Sequence, residues 1–278
     1  MLDLYNLTCQ ECSRLITKRY STSFSAGIRA FDPSIRTPIY AIYGFVRFAD
    51  EIVDTFHDYP REILFNKFRA DTWHAIEERI SLNPVLNAFQ EVVHAYQIDR
   101  GLIIAFLDSM EMDLHAKSFT RNKYNEYIYG SAEVVGLMCL SVFCKGDRAM
   151  YDELKEPARR LGAAFQKINF LRDLKSDFEE RGRVYFPGVD FVQFTAEDKS
   201  EIEKDILADF QEGYRGILRL PSEARFGVYL AYVYYYSLFK KIKQTPHYKV
   251  QEKRIRVNNL EKMLLLFKSS VRMKLNIL

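Results

Sequence analysis

The chain carries the segment Tyr43-Gly-Phe-Val-Arg47-Phe-Ala-Asp50-Glu-Ile-Val-Asp54. At about 100° per residue on a helix, Tyr43, Arg47, Asp50 and Asp54 fall on one narrow face. The apolar residues between them point in other directions and can pack elsewhere. The segment therefore predicts an α-helix that presents two aspartates, one turn apart, beside an arginine and a tyrosine.

A second segment, Gln166-Lys-Ile-Asn169-Phe-Leu-Arg172-Asp173-Leu-Lys-Ser-Asp177, repeats this arrangement later in the chain. Its Gln166, Asn169, Asp173 and Asp177 also share one helical face. Each of the two segments thus contains an Asp-x-x-x-Asp pair within a longer polar stripe.

The paired aspartates require compensation, because aspartate is a poor helix former and two of them one turn apart repel each other. Carboxylate and amide oxygens suit Mg²⁺, which proteins usually hold through a few carboxylates together with substrate phosphates. Arg47 and Arg172 lie beside the two pairs and could bind phosphate oxygens. A single such pair is commonly just a solvated helix face, so the spacing alone leaves both interpretations open.

Capping and turn residues predict helices along the chain. The first predicted helices run from a capping box at Thr8 and Glu11 to about Arg19, from Thr37-Pro38 to about Phe56, and from Asn83-Pro84 onward. The next run from Arg100, which Asp99 could cap, to about Lys117, over 123–143, and from Pro157 to Arg181 before Gly182. The last cover 196–219, 223–243 and 258–276. No segment shows the period-two alternation of strands. We therefore expect an all-α fold, one domain over residues 1–278, with about nine or ten helices around a core.

The amino-acid composition argues against some classes of protein. A net charge of +3 from 40 basic and 37 acidic residues gives no basic excess, which argues against a nucleic-acid partner. The 21 Phe and 18 Tyr could line an apolar pocket or simply fill the core. The four cysteines lack zinc-site spacing, and we expect free thiols at Cys9, Cys12, Cys139 and Cys144.

Targeting signals are not apparent in the sequence. Asp3 and Glu11 interrupt the start, where a signal peptide would be apolar. The longest apolar run, Val134 to Phe143, is about half of the ~20 residues that a spanning helix needs. We therefore expect a cytoplasmic protein with reduced thiols.

Three parts of the chain together resemble the squalene/phytoene synthase family. They are Tyr20-Ser-Thr-Ser-Phe24-Ser, the first aspartate segment from Ala41 to Asp54, and the second aspartate segment followed by the loop Gly182-Arg-Val-Tyr-Phe-Pro187. The resemblance extends from about residue 12 to 260. It implies an isoprenoid-synthase helical bundle with a central cavity. It also implies head-to-head condensation of two allylic diphosphates through a cyclopropylcarbinyl diphosphate.

The resemblance also assigns roles to individual residues. It implies metal ligands, for Mg²⁺ or Mn²⁺, at Asp50, Asp54, Asn169, Asp173 and Asp177. It implies diphosphate contacts at Arg47, Arg172 and Arg254, with Ser21 and Ser23 as further hydrogen-bonding groups, although Arg254 could equally belong to an exposed basic run and the serines to a cap or turn. It implies aromatic cavity positions for Phe24, Tyr43, Tyr129 and Tyr235, whose rings can stabilise carbocations. We expect Gln166 of the second polar stripe to bind substrate as well. At Glu133 this chain departs from the family, which often has glycine there, and we expect another carboxylate near the cavity.

We expect a phytoene synthase-type enzyme that acts on two geranylgeranyl diphosphates. The alternative enzyme uses farnesyl diphosphate and makes squalene or dehydrosqualene, with NADPH required only for squalene. An alternative of another class is a non-catalytic relative that acts as a binding or assembly factor. Such apolar substrates favour docking at a membrane surface, although the sequence shows no clear amphipathic anchor. It does not indicate the oligomeric state.

Overall fold

Helices account for the secondary structure of this computed structural model, which describes residues 1–275 and 277 apart from 116–118, 190–191 and 253, and leaves out the side chains of 180 and 181. The helices are α1 Leu2–Tyr20, α2 Thr22–Arg29, α3 Pro33–Asp54, α4 Arg61–Glu78, α5 Pro84–Ala95, α6 Arg100–His115, α7 Arg121–Ile128, α8 Val134–Cys144, α9 Arg148–Arg181, α10 Ala196–Arg219, α11 Ser222–Gln244, α12 His247–Val250 and α13 Asn259–Lys274. A π-helical turn, Tyr129–Glu133, joins α7 to α8. The all-α prediction is confirmed, while the assignment of 1–278 to one domain stays a prediction.

Aspartate caps set where the two aspartate-bearing helices begin, and in α3 the cap is followed by Pro33 at the first helical position. Asp32 accepts a hydrogen bond from the Ser34 amide at 2.9 Å and opens α3, so Pro38 lies inside the helix. Asp147 accepts one from the Met150 amide at 3.0 Å and opens α9, so Pro157 also lies inside. Both predicted starts were wrong, because an interior proline removes one hydrogen bond and a long packed helix tolerates that loss.

Other helix limits were predicted with mixed success. The 196–219 helix and the stop of α9 at Gly182, whose φ is 63°, are confirmed. The capping box at Thr8 was wrong, since α1 begins at Leu2 and the Thr8 hydroxyl donates back to the Leu4 carbonyl at 2.8 Å. The predicted number of helices was too low, since α2, α4 and α12 were not predicted and the stretch 123–143 forms both α7 and α8.

Two groups of buried side chains surround the space between α3 and α9. In the first, Phe45 of α3 stacks on Phe89 of α5 with ring centroids 3.9 Å apart. In the second, Phe170 of α9 stacks on Tyr185 of the following loop at 4.0 Å. Such stacked pairs add to the burial free energy and fix ring positions. The polar faces of α3 and α9 therefore stand between two rigid aromatic cores.

The helical stretch Arg121–Cys144 is long and apolar enough to cross a membrane by length and composition. The sequence analysis considered the apolar run 134–143 by itself, whereas the helical stretch around it is continuous through the π-helical turn at Gly130. In this fold 56% of its apolar window is buried, and it packs against α6 and α9. That packing is typical of a core helix.

The cysteines behave as the sequence indicates. All four are free, and Cys9 and Cys144 are buried. Burial raises the pKa of the Cys139 thiol to about 12, which keeps it protonated and unreactive.

Candidate active site

A cavity of about 570 Å³ opens between α3 and α9. Its lining includes thirteen of the predicted site residues, namely Ser23, Phe24, Tyr43, Arg47, Asp50, Asp54, Gln166, Asn169, Arg172, Asp173, Asp177, Tyr235 and Arg254. The structure thus brings both polar stripes to one space, although they are more than 100 residues apart in the chain. Ser21 and Tyr129 do not belong to this lining.

Arg47 organises the polar face of α3. Its Nη1 lies 2.6 Å from Oδ2 of Asp50, and its Nη2 also pairs with Glu51. The guanidinium stands 4.4 Å above the ring of Tyr20. Burial lowers the pKa of Arg47, but Asp50 and Glu51 outweigh it and the net pKa is raised. A permanently charged arginine is therefore held next to an aspartate at the cavity.

Asp173 is paired with two arginines on the α9 face. Its Oδ1 accepts from Nε of Arg172 at 3.0 Å and lies 2.7 Å from Nε of Arg254. Desolvation opposes the charge of Arg172, but Asp173 holds the pKa of that guanidinium above its usual value. Two arginines from different parts of the chain thus converge on one aspartate.

The amide side chains of Gln166 and Asn169 continue the polar face of α9 beyond its charged residues. Nε2 of Gln166 donates to Oγ of Ser131 at 3.4 Å, and Oε1 of Gln166 accepts from Asn169 at 3.4 Å. The Tyr235 hydroxyl reaches Oδ1 of Asn169 at 3.5 Å. These long contacts connect the polar face to the aromatic wall.

Aromatic rings form the wall nearest to the polar faces. Phe24 lies 5.5 Å from Tyr43 and 6.3 Å from Tyr235, measured between ring centroids. Phe165, which the sequence analysis missed, stacks on Tyr235 at 4.1 Å. Burial raises the pKa of both tyrosines, so their hydroxyls stay neutral beside the cavity. The rings supply π faces without an ionised nucleophile.

Ser21 lies at the edge of the site in a structural position. Its hydroxyl caps α2 by accepting the Phe24 amide at 3.1 Å, and it also hydrogen-bonds Tyr43. Ser21 therefore orients two aromatic residues of the cavity wall rather than contacting the cavity itself.

Tyr129 and Glu133 belong to the π-helical turn and lie outside the described lining. The Arg159 guanidinium stands 5.4 Å from the Tyr129 ring, and its Nε donates to Oε2 of Glu133 at 2.7 Å. The expected carboxylate near the cavity is thus already paired on another side of the turn. Burial raises the pKa of Glu133 in spite of this arginine.

A buried polar cluster that contributes Asp113 and Tyr127 to the cavity lining was not predicted. Arg183 places Nη1 3.2 Å from Oδ1 of Asp113 and 3.4 Å from Oδ1 of Asp54. Tyr127 donates to the other oxygen of Asp113 at 2.7 Å. Burial raises the pKa of Asp113 to about 7. Two features of the sequence could have indicated this cluster, namely Arg183 in the quoted Gly182 loop and Asp113 near the end of α6.

The oxygen donors fit a cation that is shared with a ligand. Asp50 and Asp54 of α3 face the same cavity as Asn169, Asp173 and Asp177 of α9. Within the described part of the chain, no three His, Cys, Asp or Glu residues form a metal-binding group by themselves. Mg²⁺ is commonly held by one or two carboxylates plus phosphate oxygens, so this donor set suits it.

The fold and site together define a class of protein. An all-helical chain encloses a cavity with a charged face and an aromatic, apolar interior, which suits a ligand with an anionic head and a long apolar tail. The sequence profile described as squalene/phytoene synthase matches residues 17–261. The chain therefore belongs to the squalene/phytoene synthase family, whose members are head-to-head prenyltransferases.

Individual relatives agree with this assignment. The chain is 28% identical to a 15-cis-phytoene synthase of Synechococcus elongatus, with 91% of this chain and 89% of the relative covered. It is 28% identical to a 4,4'-diapophytoene synthase of Staphylococcus haemolyticus, covering 72% of this chain and 69% of the relative. A dehydrosqualene synthase structure superposes with a TM-score of 0.84 at 21% identity, covering 97% and 98% of the two chains, and is similar in fold.

Proposed function

We propose that this prenyltransferase is a phytoene synthase-type enzyme, which joins two geranylgeranyl diphosphates head to head through a cyclopropylcarbinyl diphosphate. The observation that carries the proposal is the convergence of both aspartate pairs and three arginines on one cavity with an aromatic wall. The relative that is named a phytoene synthase and covers most of the chain supports the longer substrate.

Side chains of different chemistry have different roles in this proposal. Arg47, Arg172 and Arg254 bind diphosphate oxygens through charge-assisted hydrogen bonds. Tyr43, Phe24 and Tyr235 turn their π systems toward the carbocations that follow ionisation, each worth on the order of 0.5–2 kcal/mol. The apolar remainder of the cavity excludes water, which would otherwise quench those cations.

The aspartates hold the cofactor in this proposal. Asp50, Asp54, Asn169, Asp173 and Asp177 would bind Mg²⁺, with Mn²⁺ as a substitute. When bound, Mg²⁺ neutralises diphosphate charge as a Lewis acid and makes diphosphate a better leaving group. The oxygens of these five side chains would hold the ion between the two facing helices, α3 and α9.

Two alternatives follow from specific observations. The diapophytoene synthase relative and the dehydrosqualene synthase fold favour farnesyl diphosphate as a second candidate substrate, and NADPH would be needed only if the product is squalene. A non-catalytic binding or assembly factor is the third candidate, but the retention of both aspartate pairs at one cavity argues against it.

One experiment separates these functions. The purified chain is incubated with Mg²⁺ and either geranylgeranyl or farnesyl diphosphate, with and without NADPH, and the hydrocarbon is identified by mass spectrometry. We expect phytoene from geranylgeranyl diphosphate without NADPH. A C30 hydrocarbon alone would support the farnesyl alternative, and no hydrocarbon from either substrate would support the non-catalytic one. We further propose a cytoplasmic enzyme that works at the membrane surface in which such substrates reside.

A further inference from the structure

The last helix, α13, turns its apolar side to solvent. Most of its exposed apolar side chains recur at helical spacing and fall within an arc of about 120°. They are Leu260, Met263, Leu264, Phe267, Val271 and Leu275, while Leu266, 39% exposed, lies outside this arc. Phe267 is 69% exposed, whereas Ser269 on the opposite side is 2% exposed. This orientation is the reverse of an ordinary surface helix, which buries its apolar stripe.

Polar contacts with α11 fix that orientation. The Ser237 hydroxyl donates to Oε1 of Glu261 at 2.7 Å, and Lys241 pairs with the same carboxylate. The Tyr234 hydroxyl donates to the Lys262 carbonyl at 3.0 Å. Near the other end, Arg272 reaches the Tyr229 hydroxyl at 3.4 Å. The apolar stripe is therefore held outward along the length of the helix.

The C-terminal part of the chain that carries the stripe is strongly basic. Residues 240–278 contain eleven lysines and arginines against two glutamates, a net charge of +9. Since the whole chain has +3, the first 239 residues carry −6. Lys268 and Lys274 lie at the two edges of the stripe, and Glu261, the sole acidic residue of α13, is paired with Lys241. An apolar centre with a basic border is complementary to an anionic lipid surface.

A second copy of the chain would fit this face less well. Two such surfaces brought together would oppose two basic borders, and like charges in contact disfavour association. A bilayer instead accepts the apolar side chains among its acyl chains while its headgroups meet the lysines.

We propose that the exposed face of α13 is a docking surface for an anionic lipid bilayer. The inference rests on the proposed function only in that it names the surface for the membrane association suggested there. Helix α11 lies between this face and the cavity, since Tyr234 both lines the cavity and contacts α13. Docking would bring a cavity wall close to the lipid in which polyprenyl chains dissolve.

The test is co-sedimentation of the full chain with vesicles of phosphatidylcholine alone or with about a third phosphatidylglycerol. The variant Leu264→Ser/Phe267→Ser removes the centre of the stripe, and Leu4→Ser/Leu7→Ser removes two equally exposed apolar residues from α1 as the matched control. We expect the wild type and the control to bind anionic vesicles, and the α13 variant to lose at least about tenfold in affinity with an unchanged circular dichroism melt.

Three results would overturn the proposal. The α13 variant could bind as well as the wild type, the wild type could bind neutral vesicles equally well, or the variant could turn a dimer into a monomer without a loss of vesicle binding. Hydrocarbon synthesis in detergent is measured in parallel. Vesicle binding without synthesis would count against the enzyme assignment alone, and synthesis without vesicle binding would count against the docking surface alone.

Discussion

The Nε of Arg254 lies 2.7 Å from Oδ1 of Asp173. The arginine comes from the connection between α12 and α13, and the aspartate comes from the C-terminal third of α9, 81 residues earlier. The C-terminal part of the chain therefore completes the charged face of a cavity that is otherwise built by α3 and α9. Because the Arg254 side chain is 49% exposed, it can exchange this carboxylate for a ligand.

Replacing Arg254 with alanine should weaken diphosphate binding. Loss of one charge-assisted hydrogen bond costs about 1.5–3 kcal/mol, so KM should rise about ten- to a hundredfold with little change in Tm. Steady-state kinetics with varied prenyl diphosphate measures this, and Arg256→Ala, which removes an exposed arginine nearby, is the control. An unchanged KM would show that Arg254 serves only its pairing with Asp173.

Replacing Asp50 or Asp173 with alanine should abolish product formation and leave the fold intact. Both carboxylates face the cavity, so their removal leaves no hole in the core. We expect at least about a hundredfold loss of hydrocarbon synthesis, since metal-assisted charge stabilisation supplies several kcal/mol. Asp58→Ala, at an exposed loop position, should retain activity. Full activity in either site variant would refute the proposed ligands.

Removal of divalent cations should stop turnover. Treatment with excess chelator should reduce hydrocarbon formation to background, and Mg²⁺ or Mn²⁺ in excess of the chelator should restore it, because the donor oxygens suit both ions. The measurement is product formation before chelation, after chelation and after the cation is added back. Turnover that persists in chelator would exclude the proposed use of the aspartates.

Stability should depend on pH through Asp113. Its pKa is raised from 3.8 in the unfolded chain to about 7 by burial, so between these values the folded state holds a proton that the unfolded state has lost. Stability from this group is complete below about pH 4, falls by about 1.4 kcal/mol per pH unit as pH rises, and levels off above about 7.

Urea unfolding of the wild type and of Asp113→Asn across this pH range isolates the contribution. The wild type should lose stability relative to the variant as pH rises toward 7, because asparagine keeps a neutral polar group at the position. Parallel curves for the two proteins would show that Asp113 is ionised in the folded state.

Adding a side chain at Gly130 should destabilise the protein. A Cβ there would lie 2.2 Å from the Ala105 carbonyl oxygen of α6, so Gly130→Ala should destabilise the protein by about 1–3 kcal/mol. For a chain of this size that lowers Tm by about 2–4 °C per kcal/mol. The control is Gly27→Ala in α2, where a Cβ meets nothing within 4 Å and the helix should gain stability. Equal melting temperatures for the two variants would contradict this account.

Local periodicity predicted the parts of the site that lie on regular helices. The stripes of α3 and α9 could be read from the sequence because their side chains recur every three or four residues. The direction of Tyr129 could not be predicted in this way, since Tyr129 belongs to a π-helical turn, where the regular helical period is interrupted. The sequence also gives no means to see that Arg183 would meet Asp113, because that contact spans 70 residues and depends on the packing of α6.

Similarly, an amphipathic pattern does not reveal which side of a helix meets the protein. The side chains of α13 are compatible with either orientation, and the contacts of Glu261 and Arg272 with α11 decide between them. Tertiary contacts of this kind are outside the reach of a periodicity argument.

The arginine–carboxylate pairs at the cavity couple the binding of the diphosphate to the binding of the cation. A diphosphate must compete with Asp50 and Asp173 for Arg47, Arg172 and Arg254, and a divalent cation must compete with the same arginines for the aspartates. Binding of the diphosphate frees the aspartates for the cation, and binding of the cation frees the arginines for the diphosphate. By thermodynamic linkage, the diphosphate and the cation should therefore increase each other's affinity by the same factor. The site would respond to the two ligands arriving together far more than to either one alone.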